Sequence, residues 1–157
     1  MTPLAHQTTP LLFVVIEGRR FAIRLEQVDE VLPLAEPAPV PGWPRYGLGL
    51  LDVRGSLVPL VDVRSTLQLP DVTLSHRQKV VVVLTAGGER WGVLVSEVLG
   101  VVAHALSALE GIAPQPRLIR PDVSREFAIE AEGAVAVLDA SALIAALGLP
   151  PPAEAVK

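Results

Sequence analysis

The apolar residues of this chain occur in short runs, which are followed by a glycine and then by a second run. Examples are LLFVVI at residues 11–16 and VVVVLTA at residues 80–86. A membrane-spanning helix needs roughly 20 consecutive apolar residues, so runs of this length cannot cross a bilayer in that form. Short valine-rich runs bounded by glycine are typical of β-strands. This pattern predicts a mostly β fold.

The same hairpin pattern occurs in both halves of the chain. LLFVVIEGRRFAIRL predicts a hairpin that turns at Gly18, and VVVVLTAGGERWGVLV predicts a second one. Two diverged copies of a β module predict an all-β, pseudo-twofold architecture. Phe21 then corresponds to Trp91, and Val28 to Val98, while Asp62 corresponds to Asp139.

The domain boundaries follow from this repeat. We predict a flexible N-terminal tail at residues 1–10, one domain at residues 11–148 and a C-terminal tail at residues 149–157. The two halves of the domain span about residues 11–67 and 80–147.

Helical spacing of apolar residues occurs in three short segments. LEQVDEVL at residues 25–32 and SEVLGVV at residues 96–102 each predict a short helical turn. DASALIAALG predicts a C-terminal helix, with Asp139 or Ser141 as the N-cap and Gly148 as the stop. The prolines of residues 33–44 predict an extended loop between the strands.

The central segment GLGLLDVRGSLVPLVDVR, residues 47–64, predicts a further hairpin. Its two apolar runs flank Gly55 and Ser56, which suit a type II′ turn with glycine first. In that register Val53 faces Val58. Glycines in or beside the strand patterns predict β-bulges or tight bends; they are Gly49, Gly92 and Gly100.

Two charged residues of this hairpin allow a structural or a functional interpretation. Asp62 ends the second run, as Asp139 does in the second half, and is predicted to cap the turn that follows. Arg54 lies at the mouth of the hairpin beside Gly55 and close to Leu57. It either keeps the turn soluble or anchors a partner, because arginine over an apolar patch is a common interface anchor.

Composition excludes several classes of function. The net charge is −4, with 13 basic and 17 acidic residues and no basic cluster, so we expect no nucleic-acid partner. The absence of cysteine excludes disulfides and thiol chemistry. No lysine or arginine precedes Arg19, so the N-terminus does not resemble a signal peptide. We expect a cytoplasmic protein without direct membrane insertion.

No constellation of catalytic or metal-binding residues is present in the sequence. His6, His76 and His104 do not lie at a metal-ligand spacing. GLGLLD lacks the third glycine of a dinucleotide-binding fingerprint, and no phosphate-binding loop or nucleophile elbow occurs. The sequence therefore predicts no metal, no cofactor and no enzymatic activity. By elimination it favours a binding module.

The order of the motifs resembles that of CheW-like chemotaxis coupling proteins. The resemblance covers about residues 11–147 and includes the hairpins, WGVLVSEVLGVV and the terminal AVLDASALIAAL. Its most specific part is residues 49–64, which are similar to the family's Gly-x-x-Asn-Leu-Arg-Gly segment and the apolar, proline-containing run that follows. Three departures are Asp52 in place of the usual asparagine, Ser96 in place of a common aspartate, and a short strand pair at residues 125–139.

The resemblance implies a pair of five-stranded SH3-like β-barrels with a shared hydrophobic core. It also implies a non-enzymatic adaptor between the cytoplasmic tips of chemoreceptors and the regulatory domain of a CheA-type histidine kinase. In that family the groove between the barrels docks the receptor, and the exposed barrel ends pair with the kinase. The alternative is a small-ligand-sensing or other protein-docking module in a divergent signalling system.

The family's partner-contact positions can be carried onto this chain residue by residue. The corresponding residues are Val28, Glu30, Val31, Gly49, Arg54, Gly55, Gly92, Val98 and Val101. Arg54 is the main candidate for direct contact, and the glycines and valines are expected to shape the groove.

Overall fold

A computed structural model describes residues 7–70, 78–108, 123–131 and 133–149. Strands are the main secondary structure of these residues, with one α-helix at their C-terminal end, which confirms the predicted all-β class. The strands are β1 (Thr9–Ile16), β2 (Arg19–Arg24), β3 (Val28–Pro33), β4 (Gly47–Val53), β5 (Ser56–Val61), β6 (Lys79–Leu84), β7 (Arg90–Val95), β8 (Glu97–His104), β9 (Leu106–Ala108), β10 (Glu126–Glu130) and β11 (Gly133–Leu138), and the helix is α1 (Ala140–Leu147). Strand β1 begins inside the segment predicted to be a tail.

The strands form two sheets, and each sheet takes strands from both halves of the chain. Sheet A has six strands in the order β8-β1-β2-β11-β10-β9, and sheet B has five in the order β3-β6-β7-β5-β4. The N-terminal hairpin β1–β2 thus pairs with strands of the second half, and the hairpin β6–β7 pairs with strands of the first. The pairing β8-β1-β2-β11-β10 in sheet A matches β3-β6-β7-β5-β4 in sheet B strand for strand. The two halves exchange their hairpins.

Each sheet curls because one continuous segment of the chain forms hydrogen bonds at both ends of the sheet. Strands β8 and β9 are separated only by Ala105, yet they stand at opposite ends of sheet A. In sheet B the chain beyond β3 returns at Ala38, whose amide and carbonyl bond with Leu50 of β4 at 2.9 and 2.8 Å. Both sheets therefore wrap towards a barrel shape.

Three apolar clusters match this curled shape. One lies within sheet A and includes Phe13, and a second lies within sheet B and includes Leu60. The third and largest joins the two sheets and α1 around Phe21, Trp91 and Leu143. Two curled sheets with a shared core are thus as predicted, but sheet A has six strands rather than five because of the short β9.

The prediction of helical turns at residues 25–32 and 96–102 was wrong for most of their length. Only Leu25–Gln27 forms a single 3-10 turn. Val28–Pro33 is β3, with the alternating burial of a strand, and Glu97–His104 is β8. A helix of one or two turns is marginal on its own, whereas valine-rich segments gain from pairing with β6 and β1.

The turn of the β4–β5 hairpin lies one residue earlier than predicted. Arg54 and Gly55 occupy its two central positions with φ angles of +52° and +87°, as in a type I′ turn. Val53 therefore faces Ser56, and Val58 faces Leu51. The reason is local, because the Asp52 carboxylate accepts the Gly55 N–H at 2.8 Å and fixes the turn there.

The predicted C-terminal helix is confirmed, and its two ends are held by side chains of the first half. The Asp139 carboxylate accepts the Ala142 N–H at 2.9 Å, so Asp139 is the N-cap, and Gly148 ends the helix at φ +70°. The Gln27 side chain accepts the Ala140 N–H at 2.9 Å. At the other end the Tyr46 hydroxyl donates to the Leu147 carbonyl at 2.5 Å. These bonds keep α1 against the shared core.

Candidate functional site

An ion pair joins the two ends of sheet B at the β4–β5 turn. Arg54, in the β4–β5 turn, donates to the carboxylate of Glu30 on β3, the strand at the opposite end of the sheet. The Arg54 side chain nevertheless remains 76% exposed, whereas Glu30 is 19% exposed. The structure thus brings Glu30, Arg54 and Gly55 together.

An exposed apolar side chain lies on the same hairpin as Arg54. Leu57 of β5 faces Asp52 of β4 across the hairpin, just beyond the turn. It is among the most exposed large apolar residues of the described chain. A cation beside an accessible apolar group is a common composition for a protein interface. We call Arg54, Gly55 and Leu57 the hairpin surface.

Val28 and Val98 lie where the chain crosses between the two sheets. The chain passes from sheet A to sheet B between β2 and β3, and returns between β7 and β8. Both valines are partly buried against the shared core. Further along, Val31 and Val101 are 40% and 53% exposed. These four residues occupy equivalent places in the two halves, although β3 and β8 lie in different sheets and do not pair.

The two crossing strands differ in charge. On β3, Asp29 pairs with Arg90 at 3.3 Å, Glu30 pairs with Arg54, and Pro33 ends the strand. Charges and proline protect an edge strand from unwanted pairing. Between Glu97 and His104, strand β8 carries no charged residue, and the exposed side chains of that stretch are apolar. We call Leu99, Val101 and Val102 the β8 surface.

The sequence interpretation missed Leu99 and Val102. Both were assigned to a helical turn, in which their exposure could not be inferred. In the structure Leu99 lies in the bulge opposite Phe13 and Val14. Val101 and Val102 are adjacent on the strand and point to opposite faces, and both are exposed on β8 at the end of sheet A. One feature of the sequence could have revealed them. Residues 98–103 contain more apolar side chains than one face of a paired strand can bury, so some of them must be exposed.

Two of the predicted contact residues are buried glycines that permit close packing. A Cβ atom on Gly49 would lie 2.4 Å from the Ala38 carbonyl oxygen, and one on Gly92 would lie 2.9 Å from Cγ1 of Val80. A register shift between Gly47 and Gly49 is the bulge predicted there. These residues shape the sheets, and they do not offer a side chain to a partner.

A buried polar network lies where the two sheets meet. The Arg64 side chain is 5% exposed and donates to Asp62 at 2.6 Å and to Glu17 at 3.1 Å. Hydrogen bonding to Asp62 is the largest cause that raises the pKa of Arg64, and burial opposes it. Asp62 also accepts the Arg64 backbone N–H at 3.0 Å, which confirms its role at the start of the following turn. The link to Glu17 was not predicted.

The histidines contribute little to any chemical site. His6 and His76 lie outside the described residues. His104 contacts the Glu130 carboxylate at 3.3 Å and packs against the Phe13 ring. Within residues 7–70, 78–108, 123–131 and 133–149, no group of three histidine or acidic side chains is placed to hold a metal ion.

None of the helical residues described here forms a helix that is long and apolar enough to span a bilayer.

Comparison with known proteins gives consistent results. The sequence profile of the CheW-like domain matches residues 10–148. The chain is 27% identical over 135 residues to the chemotaxis protein CheW of Bacillus subtilis, covering 85% of each chain. It is 23% identical to the chemotaxis protein CheW of Rhizobium meliloti, covering 71% of this chain and 66% of that one. The scaffolding protein TtCheW from Thermoanaerobacter tengcongensis has a similar fold, with a TM-score of 0.72 at 16% identity, over 85% of this chain and 90% of that one.

Proposed function

This chain belongs to the CheW-like domain family, and on that premise we propose that it is a non-enzymatic adaptor of bacterial chemosensory signalling. It couples chemoreceptors to a CheA-type histidine kinase, in the cytoplasm at membrane-associated receptor arrays. The observation that carries this proposal is the presence of two separate exposed surfaces on one shared core. The hairpin surface belongs to sheet B, and the β8 surface belongs to sheet A.

The hairpin surface is proposed to bind the kinase. Its guanidinium is held by Glu30 yet remains exposed, so it can donate to a carboxylate or carbonyl of a partner without leaving a buried charge behind. Leu57 adds accessible apolar area on the same hairpin. In the family, the exposed barrel ends pair with the kinase's own CheW-like domain, and this hairpin lies at such an end.

The β8 surface is proposed to bind the helical tip of a chemoreceptor. Its three apolar side chains are each about half exposed and lie on one strand. An amphipathic helix presents apolar residues three and four positions apart, which suits a surface of this size and chemistry. Val98, on the same strand, packs against the shared core and so holds β8 to it, and Val28 does the same for β3 at the other crossing point.

Replacing Arg54 with glutamate should weaken binding to the kinase regulatory domain by at least about tenfold. The substitution places a second carboxylate beside Glu30 and reverses the charge offered to the partner. Isothermal titration with the purified kinase domain measures the effect, and circular dichroism checks the fold. Arg19→Glu is a matched control, because it reverses an exposed arginine on sheet A. Unchanged affinity of Arg54→Glu would remove the hairpin surface from the proposal.

Replacing Val101 with aspartate should abolish co-sedimentation with receptor fragments and leave kinase binding intact. The valine is exposed, so the fold tolerates the change, but a carboxylate would have to be desolvated against an apolar helix. Ile129→Asp is the matched control, since Ile129 is equally exposed on β10 of the same sheet. If both variants bind receptor fragments like the wild type, the receptor does not use β8.

A further inference from the structure

Ser96 occupies the single position between β7 and β8, where the chain passes from sheet B to sheet A. Its hydroxyl oxygen accepts the Glu17 N–H at 3.1 Å. Its own N–H donates to the Val15 carbonyl at 2.8 Å. Ser96 is therefore tied at two points to the end of β1 and the turn that follows, immediately before the strand that carries the β8 surface.

The turn that holds Ser96 is itself held from the other sheet. Glu17 has a φ angle of +49°, in the left-handed region that residues other than glycine rarely adopt. Its carboxylate accepts from Arg64 at 3.1 Å, and Arg64 is bound in turn by Asp62 at the end of β5. Direct contacts therefore link Asp62, at the end of β5 in sheet B, through Arg64 and Glu17 to Ser96 at the start of β8.

The position of Ser96 matters because a bulge in β8 lies three residues further along the strand. Phe13 pairs with Gly100 while the next residue, Val14, pairs with Val98, so Leu99 is left as a bulge. A strand that slips by one residue turns every side chain to the opposite face. The bond at Ser96 fixes the chain on the N-terminal side of the bulge, and it thereby sets which face Leu99 and Val101 occupy.

We propose that Ser96 is a positioning residue for the β8 surface, held in place by the Glu17 turn that Arg64 clamps. This inference rests on the proposed receptor-binding role of that surface. Ser96 does not itself touch the partner. Its hydroxyl keeps the start of β8 in the register that presents the apolar side chains, so its loss acts on receptor binding and not on the hairpin surface.

Ser96→Ala tests the role of the hydroxyl, and Ser96→Thr tests whether a restored hydroxyl rescues it. We expect Ser96→Ala to weaken binding of a receptor fragment by about three- to tenfold, as expected for one lost hydrogen bond. Ser96→Thr should bind like the wild type, and amide exchange of residues 97–101 should be faster in Ser96→Ala only. Kinase affinity should not change in either variant. Ser65→Ala, which removes an exposed hydroxyl in another turn, is the control.

Two results separate this inference from the proposed function. Wild-type receptor binding by Ser96→Ala, together with loss of binding by Val101→Asp, would overturn the positioning role and keep the docking surface. Wild-type binding by Val101→Asp would overturn the docking surface itself, and the amide exchange of β8 would then test the anchor alone. Equal losses in Ser96→Ala and Ser96→Thr would also overturn the inference, since the hydroxyl would not be the cause.

Discussion

Replacing Arg64 with methionine should lower the free energy of unfolding by about 3 kcal/mol, because one partner is removed from a buried ionic network. Asp62 and Glu17 would lose their cationic partner at a site where their side chains are only 13% and 16% exposed. Because methionine fills much of the volume of arginine, the loss of unfolding free energy measures the contribution of the charge and the hydrogen bonds. Urea denaturation followed by circular dichroism measures the effect.

Arg90→Met is the matched control for Arg64→Met. Arg90 pairs with Asp29 at 3.3 Å in a site where both side chains are about one third exposed. An ion pair with this exposure contributes at most about 1 kcal/mol. Arg64→Lys should fall between the two, since lysine keeps the charge but loses the forked contact with Asp62. If Arg64→Met unfolds at the same urea concentration as Arg90→Met, the network does not hold the sheets together.

Replacing Gly49 with alanine should destabilise the protein by about 3 kcal/mol or more, through two effects that add. The residue has a φ angle of +134°, a conformation that costs other residues about 1–3 kcal/mol. In addition, the new Cβ atom would lie 2.4 Å from the Ala38 carbonyl oxygen, a backbone atom that cannot move without breaking its bond to Leu50. Thermal unfolding and urea denaturation measure the loss.

Gly100→Ala separates the two effects. Its φ angle of +128° is close to that of Gly49, but no atom lies within 4 Å of the position that a Cβ would take. It should therefore show the cost of the backbone conformation alone. The difference between the two variants reports the steric clash that holds Ala38 against β4. Equal losses would mean that the Ala38 contact is loose enough to yield.

The elements that the sequence predicted well are those that depend on neighbours in the chain. The hairpin at Gly18 and the helix between Asp139 and Gly148 follow from turn and capping residues that lie next to the strands and helix they limit. Strands β3 and β8 were misassigned because a short apolar segment fits either period, and only the partner strand decides between them. Local patterns therefore gave the fold class but not every element type.

The candidate site was harder to predict because its contacts join distant parts of the chain. Residue types and the family resemblance led to Arg54 and Val101, and both are exposed. The pairing of Arg54 with Glu30 and of Arg64 with Glu17 spans 24 and 47 residues of sequence. No periodicity reports such contacts. Gly92 was included by family position alone, and its burial against Val80 assigns it to packing.

The exchanged hairpins have a consequence for how such a chain could arise and how it could be divided. A module of one half, lacking its partner, would leave its own β3-like and β4-like strands without the hairpin that completes their sheet. Two identical modules could satisfy each other by trading hairpins around a twofold axis. The present fold has the strand pairing of a domain-swapped dimer whose two subunits have been joined end to end. Cleavage in residues 71–77 should therefore yield two fragments that remain interlocked, rather than two independent domains.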